Sequence, residues 1–123
     1  MVTPSLVTVV DDDESVRESL PELLRALGFA VRAFPSAEAF LASDCIDVSH
    51  CLILDVTMPG MSGCALQQEL TRRGNSVPIV FLTAQRDEIL RSHLIAQGAV
   101  ECLFKPFREA ALLQAVNAAI RVS

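Results

Sequence analysis

At 123 residues, 51% of them apolar and 20% charged, the chain has the size of one domain, 1–123, and enough apolar material to fill a core. A formal net charge of -5 argues against direct binding along DNA or RNA, which draws on clustered Lys and Arg, so any contact with nucleic acid would need another domain. The opening Met-Val-Thr-Pro-Ser lacks a basic region, and the apolar run after it is too short for a signal peptide or a membrane span; a cytoplasmic domain without membrane contact is expected.

Taken in chain order, Leu6 to Val10 reads as a first strand that gives way to Asp11-Asp12-Asp13. Val16, Leu20, Leu23, Leu24 and Leu27 then recur at helical spacing, with Asp13 and Glu14 at the positive end of the helix and Gly28 as its stop. Pro21 removes one backbone bond to the carbonyl of Arg17, so a kink is expected. Ala30 to Phe34 is a second strand, and Ser36 caps a helix through Phe40 and Leu41. Cys51 to Leu54 is a third strand ending at Asp55, followed by the turn-rich Met58-Pro59-Gly60-Met61-Ser62-Gly63 and a helix that carries Leu66 and Leu70 and stops near Gly74. Pro78 opens a fourth strand, Ile79 to Leu82, which ends at Thr83. Asp87 to Gln97 is the next helix, closed by Gly98. Val100 to Phe104 is a fifth strand ending at Lys105-Pro106, and Glu109 to Arg121 is the last helix, with Leu112, Leu113, Val116 and Ile120 on one face. The chain ends directly after that helix, either as a complete domain or as one cut from a longer protein.

Short β-branched runs alternating with helices indicate βαβ units and a parallel sheet. The third and fourth runs are continuously apolar, as central strands covered on both faces must be. Cys45, Cys51, Cys64 and Cys102 form no CxxC pair, and neither His50 nor His93 stands at a metal-ligand spacing from them, so these are expected to be mostly buried thiols in a reducing compartment. His93 is expected on a helix surface and His50 at a strand start.

In a doubly wound sheet all strand carboxyl ends open on one edge, where ligands bind. Four of the five strands therefore deliver Asp11, Asp12, Asp55, Thr83 and Lys105 to one cleft; Lys105 is the only lysine of the chain. Three carboxylates so gathered repel one another unless a cation sits among them, and oxygen ligands suit Mg2+ or Mn2+. Such a cation, with Lys105, would neutralise charge on a transferring phosphoryl group. Asp55, alone at the end of a central strand, is the candidate nucleophile for an acyl phosphate, and the Thr83 hydroxyl could hydrogen-bond to it. Singly, each residue reads equally well as a helix-start acid, a turn residue or a solvated charge; it is their joint placement that points to one chemistry. Asp13, Glu14 and Asp87 are read as helix-start acids only.

With these residues in place the sequence resembles the receiver domains of two-component response regulators over essentially its whole length. The resemblance is carried by Val-Val-Asp-Asp-Asp ending at Asp13, Leu-Asp-Val-Thr-Met-Pro-Gly-Met-Ser-Gly around Asp55, Phe-Leu-Thr-Ala ending at Ala84, and Gly98-Ala99 followed by Phe104-Lys105-Pro106-Phe107. Cys51-Leu-Ile-Leu-Asp55 and Pro78 to Ala84 are most similar to the FixJ-like subgroup, whose receivers usually precede a LuxR-type helix-turn-helix. The resemblance implies a flavodoxin-like (βα)5 three-layer sandwich with strand order 2-1-3-4-5. It also implies phosphorylation of Asp55 by a sensor histidine kinase, and Mg2+ held by Asp12, Asp55 and the Thr57 carbonyl, with Asp11 acting through water. Lys105 would pair with the acceptor or the phosphate, Thr83 would be the switch hydroxyl, and Lys105-Pro106 would be cis. The face formed by 87–121 would dimerise or dock a C-terminal DNA-binding output domain outside this chain, which would make the whole a transcription regulator.

One position departs from the pattern. Cys102 stands where such receivers carry Tyr or Phe, a ring that moves inward with the threonine, and Phe104 is expected to face the other way and not to replace it. Two other readings compete. A small phosphatase of the haloacid-dehalogenase type would need an Asp-x-Asp-x-Thr-like motif, whereas Asp11-Asp-Asp-Glu-Ser15 offers no threonine. A degenerate receiver would serve only as an unphosphorylated interaction module.

Overall fold

The computed structural model describes residues 3–122. Its elements alternate throughout: β1 (Leu6–Val10), α1 (Glu14–Ala26), β2 (Ala30–Phe34), α2 (Ala37–Leu41), β3 (Cys51–Asp55), α3 (Gly63–Arg72), β4 (Ile79–Thr83), α4 (Glu88–Ala96), β5 (Glu101–Phe104) and α5 (Glu109–Val122). The strands form one parallel sheet in the order β2-β1-β3-β4-β5, which is the doubly wound arrangement expected.

Two apolar clusters cover the two faces of the sheet. Leu52, Leu54 and Phe81 pack with Phe40 of α2, Leu66 and Leu70 of α3 and Leu94 of α4. Val7, Val9, Ile53, Val80 and Leu82 pack with Leu20 and Leu24 of α1 and Leu112 and Val116 of α5. Adjacent residues of β3 and β4 thus enter opposite clusters, and both strands are buried at every position. That is why each is an unbroken apolar run up to its last residue, Asp55 in β3 and Thr83 in β4.

Local rules set the ends of the elements. Asp13 caps α1 by accepting from the Ser15 amide at 2.9 Å, and the Ser15 hydroxyl, then its amide, hold the Asp13 carboxyl below its usual range. Ser36 caps α2 through the Ala39 amide, and Ser62 caps α3 through the Ala65 amide. Asp87, expected as the first residue of a helix, lies just outside α4 as its cap, accepting from the amides of Ile89 and Leu90. Gly28 and Gly98 take φ of +99° and +110° after α1 and α4, a backbone region open to glycine. α1 continues through Pro21, which is buried.

The cysteines are free; Cys45, Cys51 and Cys102 are buried and Cys64 is half-buried. Burial pushes the Cys51 thiol up to about 12 and, as the largest of several effects, the Cys102 thiol up to about 11. His50 has a structural partner that its sequence neighbours do not reveal: its Nδ1 accepts from the Leu6 amide at 2.9 Å, while its own amide donates to the Leu6 carbonyl. It fastens the start of β3 to the start of β1.

Candidate phosphoryl-acceptor site

The carboxyl edge of the sheet gathers the predicted residues. Asp11 follows β1 directly and is fully buried, Asp12 beside it is exposed, and Asp55 is the last residue of β3 with 7% of its surface accessible. Each offers a carboxylate oxygen within 4.8 Å of the others. Lys105, just past β5, crosses the edge to them. Its Nζ donates to Asp11 Oδ2 at 2.9 Å and stands 3.8 Å from Asp55 Oδ2. Thr83, the last residue of β4, is 1% exposed, and its Oγ1 accepts from the Gln85 amide at 3.1 Å. That bond leaves its own O–H free to donate elsewhere.

The electrostatics of this group are unequal. Asp11 is neutralised by the near lysine and also accepts from the Asp13 amide at 2.9 Å. Asp55 has the lysine at longer range and one long bond, 3.4 Å, from the Thr57 amide. Burial, then the Asp11 charge, push the Asp55 carboxyl up from its ordinary 3.8 to about 7, against the opposing pull of Lys105. Burial alone would depress the Lys105 ammonium, but the bond to Asp11 and the charges of Asp55 and Asp11 outweigh it and hold the group above its usual range. The cleft therefore carries one strongly paired acid, one acid under-compensated for its burial, and a third in solvent. A hard cation with oxygen ligands fits that donor set, because it would relieve the repulsion that one ammonium leaves.

The loop after Asp55 is tightly seated. A Cβ added to Gly63 would lie 2.3 Å from the Asp55 carbonyl oxygen and 3.1 Å from Val56 Cα, so only glycine lets α3 start this close to the end of β3. Gly63 donates its amide to the Val56 carbonyl at 3.0 Å. From the sequence Gly63 was legible only as part of a turn; the close approach that requires it depends on where α3 docks. The Lys105-Pro106 bond is cis.

At position 102 one expectation fails. Cys102 is 2% exposed and sits with Phe81 and Leu94 on the α3 and α4 side of the sheet, whereas Leu103 packs on the opposite face. Phe104, two residues beyond Cys102, therefore lies on the same face as Cys102 and not on the other one, since side chains two apart on a strand share a face. It is paired in register with Thr83, and the Arg86 guanidinium lies over its ring, 5.7 Å from the centroid. An aromatic ring is thus present on that face, two strand positions nearer the site edge than Cys102.

Residues 7–117 match the family of response regulator receiver domains. The chain belongs to that family. It is 44% identical over 119 residues to the transcriptional regulatory protein TdiR of Thauera aromatica, and 46% identical over 117 residues to nodulation protein W of Bradyrhizobium diazoefficiens; these matches cover 97% and 95% of the chain and 52% of each relative. The transcriptional regulatory protein FixJ of Azorhizobium caulinodans is 41% identical over 93% of the chain and 54% of its own length. Among solved structures, response regulator StyR superposes with a TM-score of 0.87 at 45% identity, covering 98% of this chain and 61% of that one. FixJ-N superposes with a TM-score of 0.86 at 34% identity, covering 98% and 96%. The chain spans about half the length of the curated relatives it matches. Membership in a signalling family replaces the phosphatase reading, and the order of the sheet is that of receivers. Among the described residues no helix is long and apolar enough to cross a membrane.

Proposed function

We propose that this chain is a receiver domain, 1–123, that takes a phosphoryl group onto Asp55 from a phosphohistidine of a sensor histidine kinase in the cytoplasm. The observation that carries this reading is the placement of Lys105 Nζ between two buried carboxylates, 2.9 Å from Asp11 and 3.8 Å from Asp55, with Asp12 completing an acid cluster open to solvent. In the transfer, a carboxylate oxygen of Asp55 forms a bond to phosphorus as the bond from phosphorus to the histidine nitrogen breaks. Lys105 balances charge on the arriving phosphoryl oxygens, and Thr83 donates its hydroxyl hydrogen to one of them. Asp11, Asp12, Asp55 and the Thr57 carbonyl are the groups that would hold Mg2+ or Mn2+, which when bound offsets the charge of the phosphoryl group. Ionisation of Asp55 matters here, because the nucleophile is the carboxylate and the apo site holds its pKa up near 7.

The output follows from the same elements. Thr83 heads the loop into α4, and Lys105 joins β5 to α5, so contacts made by the phosphate bias the face formed by 87–121 by population shift. That face carries Ile89, 84% exposed, and a cleft of about 260 Å3 between β5 and α5 lined by Val100, Glu101, Leu103, Ala111, Gln114 and Ala118. It would form a homodimer or receive a DNA-binding output domain that controls transcription. Incubation with phosphoramidate or acetyl phosphate and Mg2+ tests the reading. One hydroxylamine-labile phosphoryl group per chain is expected; no label at all would leave an unphosphorylated interaction module instead.

A further inference from the structure

Past Val56, whose amide still donates to the Leu82 carbonyl at 2.9 Å, the backbone leading to α3 has few partners. Among the described residues, the backbone of 57–62 forms hydrogen bonds only with its own flanking residues, with one exception: the Met61 amide donates to Glu38 Oε2 of α2 at 3.0 Å. Glu38 also lies against Gly60, whose φ is +74°; a Cβ there would stand 2.6 Å from the same carboxylate oxygen. Glu38 itself is exposed, but the short helix that presents it is anchored in the core. On either side of it Ala37 and Phe40 are fully buried, the Phe40 ring meets Phe34 edge-on at 5.8 Å, and Ser36 caps the helix.

We infer that Glu38 is a positioning residue for the acceptor site, a latch from α2 that holds the crown of the loop carrying Thr57. The inference rests on the proposed role of Asp55 and the cation-holding groups around it. Gly63 fixes the far end of this loop directly against the Asp55 carbonyl, and buried Met58 fixes its interior. Glu38 fixes the stretch between them. Without the latch the Met61 amide would bond water, and the loop would have to be ordered each time the Thr57 carbonyl is drawn to a cation. That ordering opposes binding.

The test compares the wild type with Glu38→Ala and Glu38→Gln. Three readouts are taken: the Mg2+ concentration dependence of thermal stability, the initial rate of labelling by phosphoramidate, and hydrogen exchange at the Met61 amide. Glu38→Ala is expected to weaken Mg2+ binding and slow labelling by roughly three- to tenfold, the size of one ordinary hydrogen bond, since water competes for this exposed pair, with faster exchange at Met61. Glu38→Gln keeps an oxygen acceptor and should recover most of both. A merely structural role would lower stability in Glu38→Ala without changing Mg2+ affinity. Gly60→Ala, which crowds the same oxygen, should impair the wild type more than it impairs Glu38→Ala. Wild-type Mg2+ affinity and labelling in Glu38→Ala, or a Gln variant as weak as the Ala variant, would overturn the inference. A wild type that takes no label would defeat the acceptor reading itself, and this inference with it.

Discussion

Replacing Asp55 by Asn is expected to stabilise the metal-free protein, and to do so only above mildly acidic pH. Asp55 is almost wholly buried, and its side chain lies 3.8 Å from the lysine that Asp11 already engages at 2.9 Å. Burial and the Asp11 charge raise its folded pKa to about 7, whereas the unfolded chain has the ordinary 3.8. Between those two values the folded state holds a proton that the unfolded state has released, so stability falls as pH rises across that window. Below about 3.8 the two states are protonated alike and the penalty is absent; above about 7 it is complete. At about 1.4 kcal/mol per unit of pKa, a rise from 3.8 to about 7 sets a ceiling of about 4 kcal/mol, which solvent screening at the open side of the cleft lowers to roughly 2–4 kcal/mol. Urea unfolding in EDTA, at pH values on either side of the window, measures it as the difference between wild type and Asp55→Asn, which cancels the other carboxylates. The variant should be the more stable by that amount at the alkaline end and nearly equal at the acid end. Adding Mg2+ should recover the loss in the wild type and not move the variant comparably. Parallel pH profiles for the two proteins in EDTA would refute the reasoning.

Three other outcomes follow from the site. Asp12→Ala should lose most of the rise in thermal stability that Mg2+ gives the wild type, since a ligand bound only to the folded state stabilises it by mass action; an unchanged response would remove Asp12 from the site. Gly63→Ala should destabilise by about 1–3 kcal/mol in chemical denaturation, because its methyl would overlap the Asp55 carbonyl and the backbone must yield; a neutral result would mean that α3 shifts freely. Cys102→Phe places a ring in an already buried position beside Phe81 and Leu94 and should also cost about 1–3 kcal/mol. If coupling is weak for want of a ring there, this variant should enlarge the beryllofluoride-dependent change in dimerisation seen by sedimentation. An equal change in wild type and variant would assign coupling to other groups, with Phe104 and its Arg86 partner the nearest on that face.

The strands and their polar ends were readable in the sequence because the central parallel strands, covered on both faces, are apolar up to the carboxyl edge, where the chain exits the sheet. Asp55, Thr83 and Lys105 mark those exits, and a single topology brings them together. Contacts across long sequence separations were not readable. Glu38 reaches Met61 from 23 residues away, and His50 reaches Leu6 from 44; no local pattern encodes either pairing. Gly63 gives a turn signal like any glycine, and its need for a missing Cβ appears only when α3 sits on the Asp55 backbone. The facing of Phe104 was legible in principle, since strand alternation places it with Cys102, and the opposite expectation misapplied that rule.

The central claim is that Asp55 carries the phosphoryl group, and locating that group on the chain tests it most directly. After brief labelling with phosphoramidate and Mg2+, borohydride reduction and peptide mass spectrometry should place the modification on Asp55 alone, and Asp55→Asn should remain unlabelled under the same conditions. A modification found on Asp11 or Asp12 in the wild type, or labelling of Asp55→Asn to the wild-type extent, would contradict the account.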